Sequence, residues 1–390
     1  MKRTVLAVTG IRSEYDILFP VIEALRRDKY FKIGLAVSGA HLTEWHGHTV
    51  DRIKKDGFTI VSTIHSLVMD NTGLQRAKGT GILISELSET VQRFRPDILL
   101  VVGDREESIA TAVVGNYQNT LVAHIGGGDS VYGNSDDPVR FAVSKLAHLH
   151  FVTSRDSADN LKKAGEEDFR IFNAGNPALD NIRMTPQLSM VELNRYLGMA
   201  IKPNRYIVLI HHPLSSDYHE AGRQMETVLQ GVENFCLKYG FMCVGTYPNT
   251  DPGAADIIRI IDAYKNKSFI RFFKTLPRDM FVNLMRHASA LIGNSSMGLL
   301  EAPFYKLPVV NTGNRQKGRL QVGNVKFVGY TASGIIAALR KACLDMHYRG
   351  RIRLLKNPFG NGHSAGKIKR ILASVDLSET RWYIKRGVLR

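Results

Sequence analysis

Short apolar runs alternate with amphipathic stretches along this chain, in two successive series. The first series opens with the β-branched run Thr4–Val8, followed by a stretch of helical period from Asp16 to Arg27. Ile33–Val37 reads as the next strand, and a long amphipathic helix is expected over Leu83–Phe94, stopped by Pro96. Strands follow at Ile98–Val102, Leu121–His124 and Leu149–Thr153, with a helix after Gly103. Strand runs this apolar belong to a parallel sheet covered by helices on both faces.

The pattern changes between Asn176 and Pro203, where a polar stretch reads as a linker with a short helix. A second series then predicts strands at Tyr206–His211, Phe241–Thr246, Phe269–Phe272, Ala290–Ile292 and Leu307–Val310. The expectation is an α/β protein of two Rossmann-like, doubly wound domains, over residues 1–175 and 176–364. The final stretch, about residues 365–390, is helical without a strand and is expected to pack back on the first domain. In open α/β sheets ligands bind beyond the carboxyl ends of the strands, so the segments that follow the strands are where chemistry is sought.

Composition narrows the function classes. The 390 residues are 44% hydrophobic, enough for ordinary cores, and 52 Lys and Arg stand against 36 acidic residues, a net charge of +16. Such an excess suits an anionic partner, either nucleic acid or a small phosphorylated ligand. Part of it lies in the tail (Arg349, Arg351, Arg353, Lys356, Lys367, Lys369, Arg370, Lys385, Arg386, Arg390). No RNP-type aromatic motif or zinc-finger spacing supports nucleic acid. Cys236, Cys243 and Cys343 form no CxxC pair and read as free thiols of a reducing compartment. The apolar run in MKRTVLAVTG is too short for a signal peptide, and no run approaches the roughly 18 apolar residues of a membrane span. A cytoplasmic protein without a membrane partner is expected.

Six clusters sit at expected strand ends. Thr9-Gly10-Ile11-Arg12-Ser13-Glu14-Tyr15-Asp16 joins a tight glycine turn to a helix start and to Arg12, a fork of donors that matches phosphate. It is not a complete GxGxxG fingerprint, so a nicotinamide cofactor is not indicated. Gly103-Asp104-Arg105-Glu106-Glu107 brings a carboxylate and a guanidinium together, as a helix-capping salt bridge or as an acid/base with its electrostatic partner. His124-Ile125-Gly126-Gly127-Gly128-Asp129 and Gly133-Asn134-Ser135-Asp136-Asp137 combine close backbone approach with clustered carboxylates. Such carboxylates raise one another's proton affinity, which suits acid/base work; a polar loop with a helix cap, or a divalent metal, are the other uses. Arg140, Lys145 and His148 follow at helical spacings. His211-His212-Pro213 offers an imidazole that can protonate a departing phosphate. Gly293-Asn294-Ser295-Ser296-Met297-Gly298 reads as a polar turn and helix start for an anion, with Glu301 placed to accept from a ribose diol. Asn311-Thr312-Gly313-Asn314-Arg315-Gln316-Lys317-Gly318-Arg319 adds positive charge, and Asn249 and Asp251 add polar groups.

In this order the stretches TGIRSEYD, GDRE, GNSDDPVRFAVSKLAH, HHP, YPNTDPG, IGNSSMGLLEAP and NTGNRQKGRL make the chain resemble the hydrolysing UDP-N-acetylglucosamine 2-epimerases of the sialic-acid type, from Thr9 to about Arg319. The resemblance implies a glycosyltransferase-B-like pair of domains facing a cleft, with UDP on the second domain and the sugar against the first. It implies no redox cofactor, and commonly an oligomer, a dimer or tetramer; no metal is expected, because the sequence lacks an EF-hand or HExxH pattern. By the same resemblance Ser295 and Ser296 hold the diphosphate, Glu301 the ribose, and Arg12 reaches the diphosphate from the first domain. His212 assists departure of UDP, and Asp104, Asp129 and Asp137 are the acid/base candidates. His41, Arg105, Lys145, Asn249 and Arg315 complete the expected substrate-binding set.

The implied reaction removes the carbon 2 proton as UDP leaves carbon 1, then adds water with inversion at carbon 2. The family usually has Glu where Asp129 stands, and a larger polar residue at Gly126; Pro138 and Phe141 also depart from it. These changes lie on the sugar side, so the expected substrate is either UDP-N-acetylglucosamine or a modified sugar, such as a 2,4-diacetamido-trideoxy hexose of the legionaminic-acid pathway. A non-hydrolysing epimerase would carry a Glu-Ala-Gly-Leu-Arg segment and a His-Arg-Arg-Glu-Asn pattern, where this chain has HIGGGD and HHPLSSD. The same fold would also suit a glycosyltransferase, and the net charge of +16 a nucleic-acid-binding protein.

Overall fold

The computed structural model describes residues 2–68, 73–130 and 136–386, without the side chains of Asp136 and Ser215. The expected loop residues Gly133, Asn134 and Ser135, and Arg390 in the tail, lie outside the described residues. The chain forms two compact units: one takes the chain up to Arg183 and again from Pro358, the other runs over Met184–Asn357. The division thus comes later than residue 175, and the return to the first unit comes earlier than residue 365.

The first unit is built on a seven-stranded parallel sheet of order β3-β2-β1-β4-β5-β6-β7. Its strands are β1 (Arg3–Thr9), β2 (Phe31–Ser38), β3 (Ile60–Ile64), β4 (Ile98–Val102), β5 (Leu121–Ile125), β6 (Leu149–Val152) and β7 (Ile171–Asn173). Side chains alternate across a strand, so the apolar runs feed two cores. Val5 and Ala7 of β1 join Ile98 and Leu100 of β4 on one face, while Leu6 and Val8 join Leu99 and Val101 on the other. The first face is closed by the helices Arg12–Arg26 and Ser364–Ser374, which contribute Leu18, Ile22, Ile368 and Leu372.

The last segment is tied to this unit by polar groups as well. The Asp180 carboxylate accepts from the Ser364 and Ala365 N–H groups at 2.9 and 3.0 Å, capping the terminal helix. The buried Arg170 guanidinium donates to the carbonyls of Arg381, Trp382 and Ile384 at 2.6–2.9 Å.

The second unit has a six-stranded parallel sheet of order β10-β9-β8-β11-β12-β13. Its strands are β8 (Tyr206–Ile210), β9 (Met242–Thr246), β10 (Ile270–Phe273), β11 (Ala290–Gly293), β12 (Val309–Thr312) and β13 (Val325–Val328). Ile207 and Leu209 face one core, and Tyr206, Val208 and Ile210 the other. In both sheets the strand order reverses at the middle, between β1 and β4 and between β8 and β11. Polar groups gather at the carboxyl ends of these four strands. Among the described residues no helix is long and apolar enough to cross a membrane.

Candidate functional site

In the first unit the switch point is built around Gly10, which follows β1. Its N–H donates to Glu14 Oε2 at 3.0 Å, and its carbonyl accepts the His41 N–H at 3.0 Å. A side chain here would have to displace Glu107, because a Cβ would stand 1.7 Å from Glu107 Oε1. The turn feeds the Arg12–Arg26 helix, on whose first turn Arg12 reaches Asp16 at 3.6 Å.

At the end of β4, Asp104 and Arg105 leave together, but not as a mutual ion pair. Asp104 pairs with Arg140, which also donates to the Gly126 carbonyl at 2.7 Å. Arg140 thereby joins the turns after β4 and β5, and is a site residue that its helical spacing alone did not distinguish. Arg105 lies 3.6 Å from Glu106. His124, at the end of β5, donates from Nε2 to the Gly103 carbonyl at 2.7 Å. Burial holds its basicity down to about 3, so the ring is neutral.

The triple glycine is a steric requirement. Gly126 and Gly128 have φ of +84° and +75°, and a Cβ on Gly128 would meet the Ser157 carbonyl at 2.2 Å. This backbone delivers Asp129, which is 8% exposed, to the same end of the sheet. Asp137 opens the first turn of the Asp136–Leu146 helix and is half-buried.

Two expected ligand groups of this unit are held by the protein itself. His41 is fully buried, with Nε2 3.0 Å from the Thr9 hydroxyl and Nδ1 2.6 Å from that of Thr49. Both ring nitrogens are thus engaged by the protein, and burial keeps the ring neutral, with its pKa at about 3. Lys145 lies in the last turn of its helix, which leads into the start of β6, at the amino end of the sheet. It sits 3.1 Å from Glu166, a buried carboxylate also held by His150 at 2.9 Å and Lys385 at 2.6 Å. Burial raises the Glu166 pKa, but these partners outweigh it and bring the group to about 2. Lys145 therefore anchors a structural cluster at the end opposite Asp104 and Asp129. His148 also belongs to the fold, its Nδ1 accepting the Val122 N–H at 3.0 Å.

In the second unit, one side chain ties the central strands together. Asn294, after β11, accepts the His212 N–H at 2.8 Å and donates back to the His212 carbonyl at 2.7 Å. Gly293 permits this approach: its φ is +130°, and a Cβ would stand 1.9 Å from the Ile210 carbonyl. The Asn294 carbonyl in turn accepts from Gln316 at 2.9 Å and Arg315 at 3.4 Å.

His212 is oriented from a third strand end. The Asn249 N–H donates to His212 Nδ1 at 3.1 Å, so the neutral ring carries its proton on Nε2. Asn249 is fixed by Asp251 at 2.5 Å, and Arg315 lies 3.6 Å from the same carboxylate. Thus His212, Asn249, Asp251, Asn294 and Arg315 form one connected network. His211 is apart from it: its ring is buried, 3.3 Å from the Thr312 hydroxyl, and burial lowers its pKa to about 3.

The helix expected after Ser295 and Ser296 is a single turn, Met297–Leu300. Glu301 is its C-terminal cap rather than a residue within it. So short an element has almost no macrodipole, and any anion binding here falls to local amides and hydroxyls. Ser295, Ser296 and Glu301 are all half-buried in this turn. Among the described residues no three His, Cys, Asp or Glu side chains are placed to hold a metal ion.

Two parallel-sheet α/β units, each with its polar groups at a topological switch point, define the glycosyltransferase-B-like class of fold. The chain belongs to the UDP-N-acetylglucosamine 2-epimerase family, whose model matches residues 23–373. It is similar to the UDP-N,N'-diacetylbacillosamine 2-epimerase (hydrolyzing) of Legionella pneumophila, with 31% identity over 97% of both chains. It is also 31% identical to the GDP/UDP-N,N'-diacetylbacillosamine 2-epimerase (hydrolyzing) of Campylobacter jejuni, over 83% of this chain and 84% of the other. Among solved structures, the UDP-GlcNAc 2-epimerase of Neisseria meningitidis bound to UDP-GlcNAc superposes with a TM-score of 0.81, at 21% identity, over 95% of this chain and all of that one.

Proposed function

We propose that this chain is a hydrolysing UDP-sugar 2-epimerase acting on a UDP-2,4-diacetamido-trideoxyhexose, to supply the free 2-acetamido-manno sugar for nonulosonic acid biosynthesis. The observation that carries the mechanism is the fixed ring of His212. With Nδ1 occupied by the Asn249 N–H, the ring hydrogen sits on Nε2, where it can donate a hydrogen bond to the departing phosphate oxygen and stabilise its charge.

In the first step a carboxylate takes the proton from carbon 2. The electrons of that C–H bond form the carbon 1–carbon 2 double bond, and the carbon 1–oxygen bond breaks with its pair leaving on UDP. Water then adds across the double bond, hydroxyl to carbon 1 and a proton to carbon 2 from the opposite face. Asp104, Asp129 and Asp137 are the acid/base residues. Arg12, Arg105, Asn249, Ser295, Ser296 and Arg315 bind the substrate, and Glu301 accepts from the ribose. Stabilising the diphosphate charge that develops on departure is the larger demand, which suits so many donors.

The sugar is read from the glycine-rich turn and from the two relatives at 31% identity, whose names carry diacetylbacillosamine. A homo-oligomer in the cytoplasm completes the proposal. Turnover on UDP-N,N'-diacetylbacillosamine and on UDP-N-acetylglucosamine tests it. A higher kcat/KM on the former is expected; equal or better use of UDP-N-acetylglucosamine contradicts the choice of sugar.

A further inference from the structure

Two carboxyl groups that the reaction does not use meet at the turn after β1. Glu14 lies in the first turn of the Arg12–Arg26 helix and Glu107 in the first turn of the Glu106–Tyr117 helix, 6% and 5% exposed. They flank a single peptide. Glu14 Oε2 takes the Gly10 N–H at 3.0 Å, Glu107 rests against the face of Gly10 where a side chain would be, and the His41 N–H holds its carbonyl at 3.0 Å. Gly10 is thus gripped from three sides by three different elements.

Glu107 has a seat made for it. The Ser38 hydroxyl donates to its Oε1 at 3.0 Å, and Gly39, at φ +56°, leaves room where a Cβ would approach to 2.9 Å. Both flanking positions, Gly10 and Gly39, therefore lack a side chain where Glu107 needs the space. Glu14 Oε1 is buried without a hydrogen-bond partner. Burial raises the proton affinity of both groups; Glu107 raises that of Glu14 further and Glu106 that of Glu107, with Arg105 opposing in each case.

We propose that Glu14 and Glu107 are positioning residues, which together fix the Gly10 peptide and so the place from which Arg12 meets the substrate diphosphate. The inference rests on the role given to Arg12 above. It accounts for carboxyl groups at a point where a phosphate ligand would otherwise select against them.

The test is a set of full-length variants with KM, kcat and melting temperature measured on the UDP sugar that the wild type turns over. Glu14→Ala and Glu107→Ala are expected to raise KM tenfold or more with kcat within threefold. Glu14→Gln and Glu107→Gln keep an accepting oxygen and are expected within threefold of the wild-type KM. Folded alanine variants with wild-type KM, or a loss confined to kcat, overturn the proposal. If the alanine variants do not fold, Gly10→Ala, which displaces Glu107 from the turn, is read instead: a tenfold higher KM supports the proposal and an unchanged KM overturns it. Arg12→Ala separates the two levels. An unchanged KM there removes the role of Arg12 and this inference with it, whereas a raised KM beside unaffected glutamate variants removes this inference alone.

Discussion

Asn294 does with one amide what the backbone cannot do at the end of a parallel strand pair. Its two bonds to the His212 peptide close the gap between β8 and β11 and set where the imidazole begins. Replacing it with alanine leaves a part-buried N–H and carbonyl without these partners, at a cost of roughly 1 kcal/mol. Asn294→Ala is therefore expected to lower stability by that amount and kcat by at least tenfold. Denaturant unfolding and initial rates check both, and an unchanged kcat in a folded variant contradicts the assigned role of the network. His212→Gln is expected to lower kcat more than it changes KM, since the proposed hydrogen bond from Nε2 strengthens as charge develops on the departing phosphate. At this scale the sequence shows which strand end a side chain leaves from, as for His212, Ser295 and Asp129. It was not legible where the partner lies far along the chain. Arg140 and Asp104 are 36 positions apart, and nothing at either position announces the other. His41 misled for a related reason: a histidine after a strand looks available until the hydroxyls of Thr9 and Thr49 are seen on its two nitrogens.

The strands that the apolar pattern did not reveal are β3, β7 and β13, and all three are sheet edges. Their residues are half-exposed, so they lose the continuous apolar run that marks a strand covered on both faces. The terminal helix Ser364–Ser374 was legible as a helix, and its place on the first sheet follows from Ala365, Ile368 and Leu372 entering the same core as Leu18 and Ile22. Ile368→Ala should cost about 2–5 kcal/mol of stability, the range for large-to-small changes in a packed core. A loss below about 1 kcal/mol in denaturant unfolding would contradict the docking described for this helix.

Across the whole molecule, five histidines among the described residues are buried in neutral form. Burial holds His41, His124 and His211 at about 3, and His148 and His150 at about 4, all below the ordinary 6.5. Their folded pKa values are depressed, so as pH falls below about 6.5 the unfolded chain binds protons that the folded chain does not. Each costs up to roughly 1.4 kcal/mol per pH unit until its folded pKa is reached. Glu14 and Glu107 act in the opposite sense: their raised pKa values favour the folded state at low pH, an advantage lost as pH rises through those values. Five groups outweigh two, so the melting temperature is expected to fall steeply from pH 6.5 to 5. A constant value over that range would contradict the neutral burial of these rings.

The central claim is that the chain removes the carbon 2 proton of a UDP sugar and releases UDP by elimination before water adds. Proton NMR in deuterated water, with UDP-N,N'-diacetylbacillosamine and purified protein, tests it most directly. UDP together with a free 2-acetamido-manno sugar carrying deuterium at carbon 2 is the expected product pair. UDP and a free sugar that keeps its carbon 2 proton and its original configuration would contradict it.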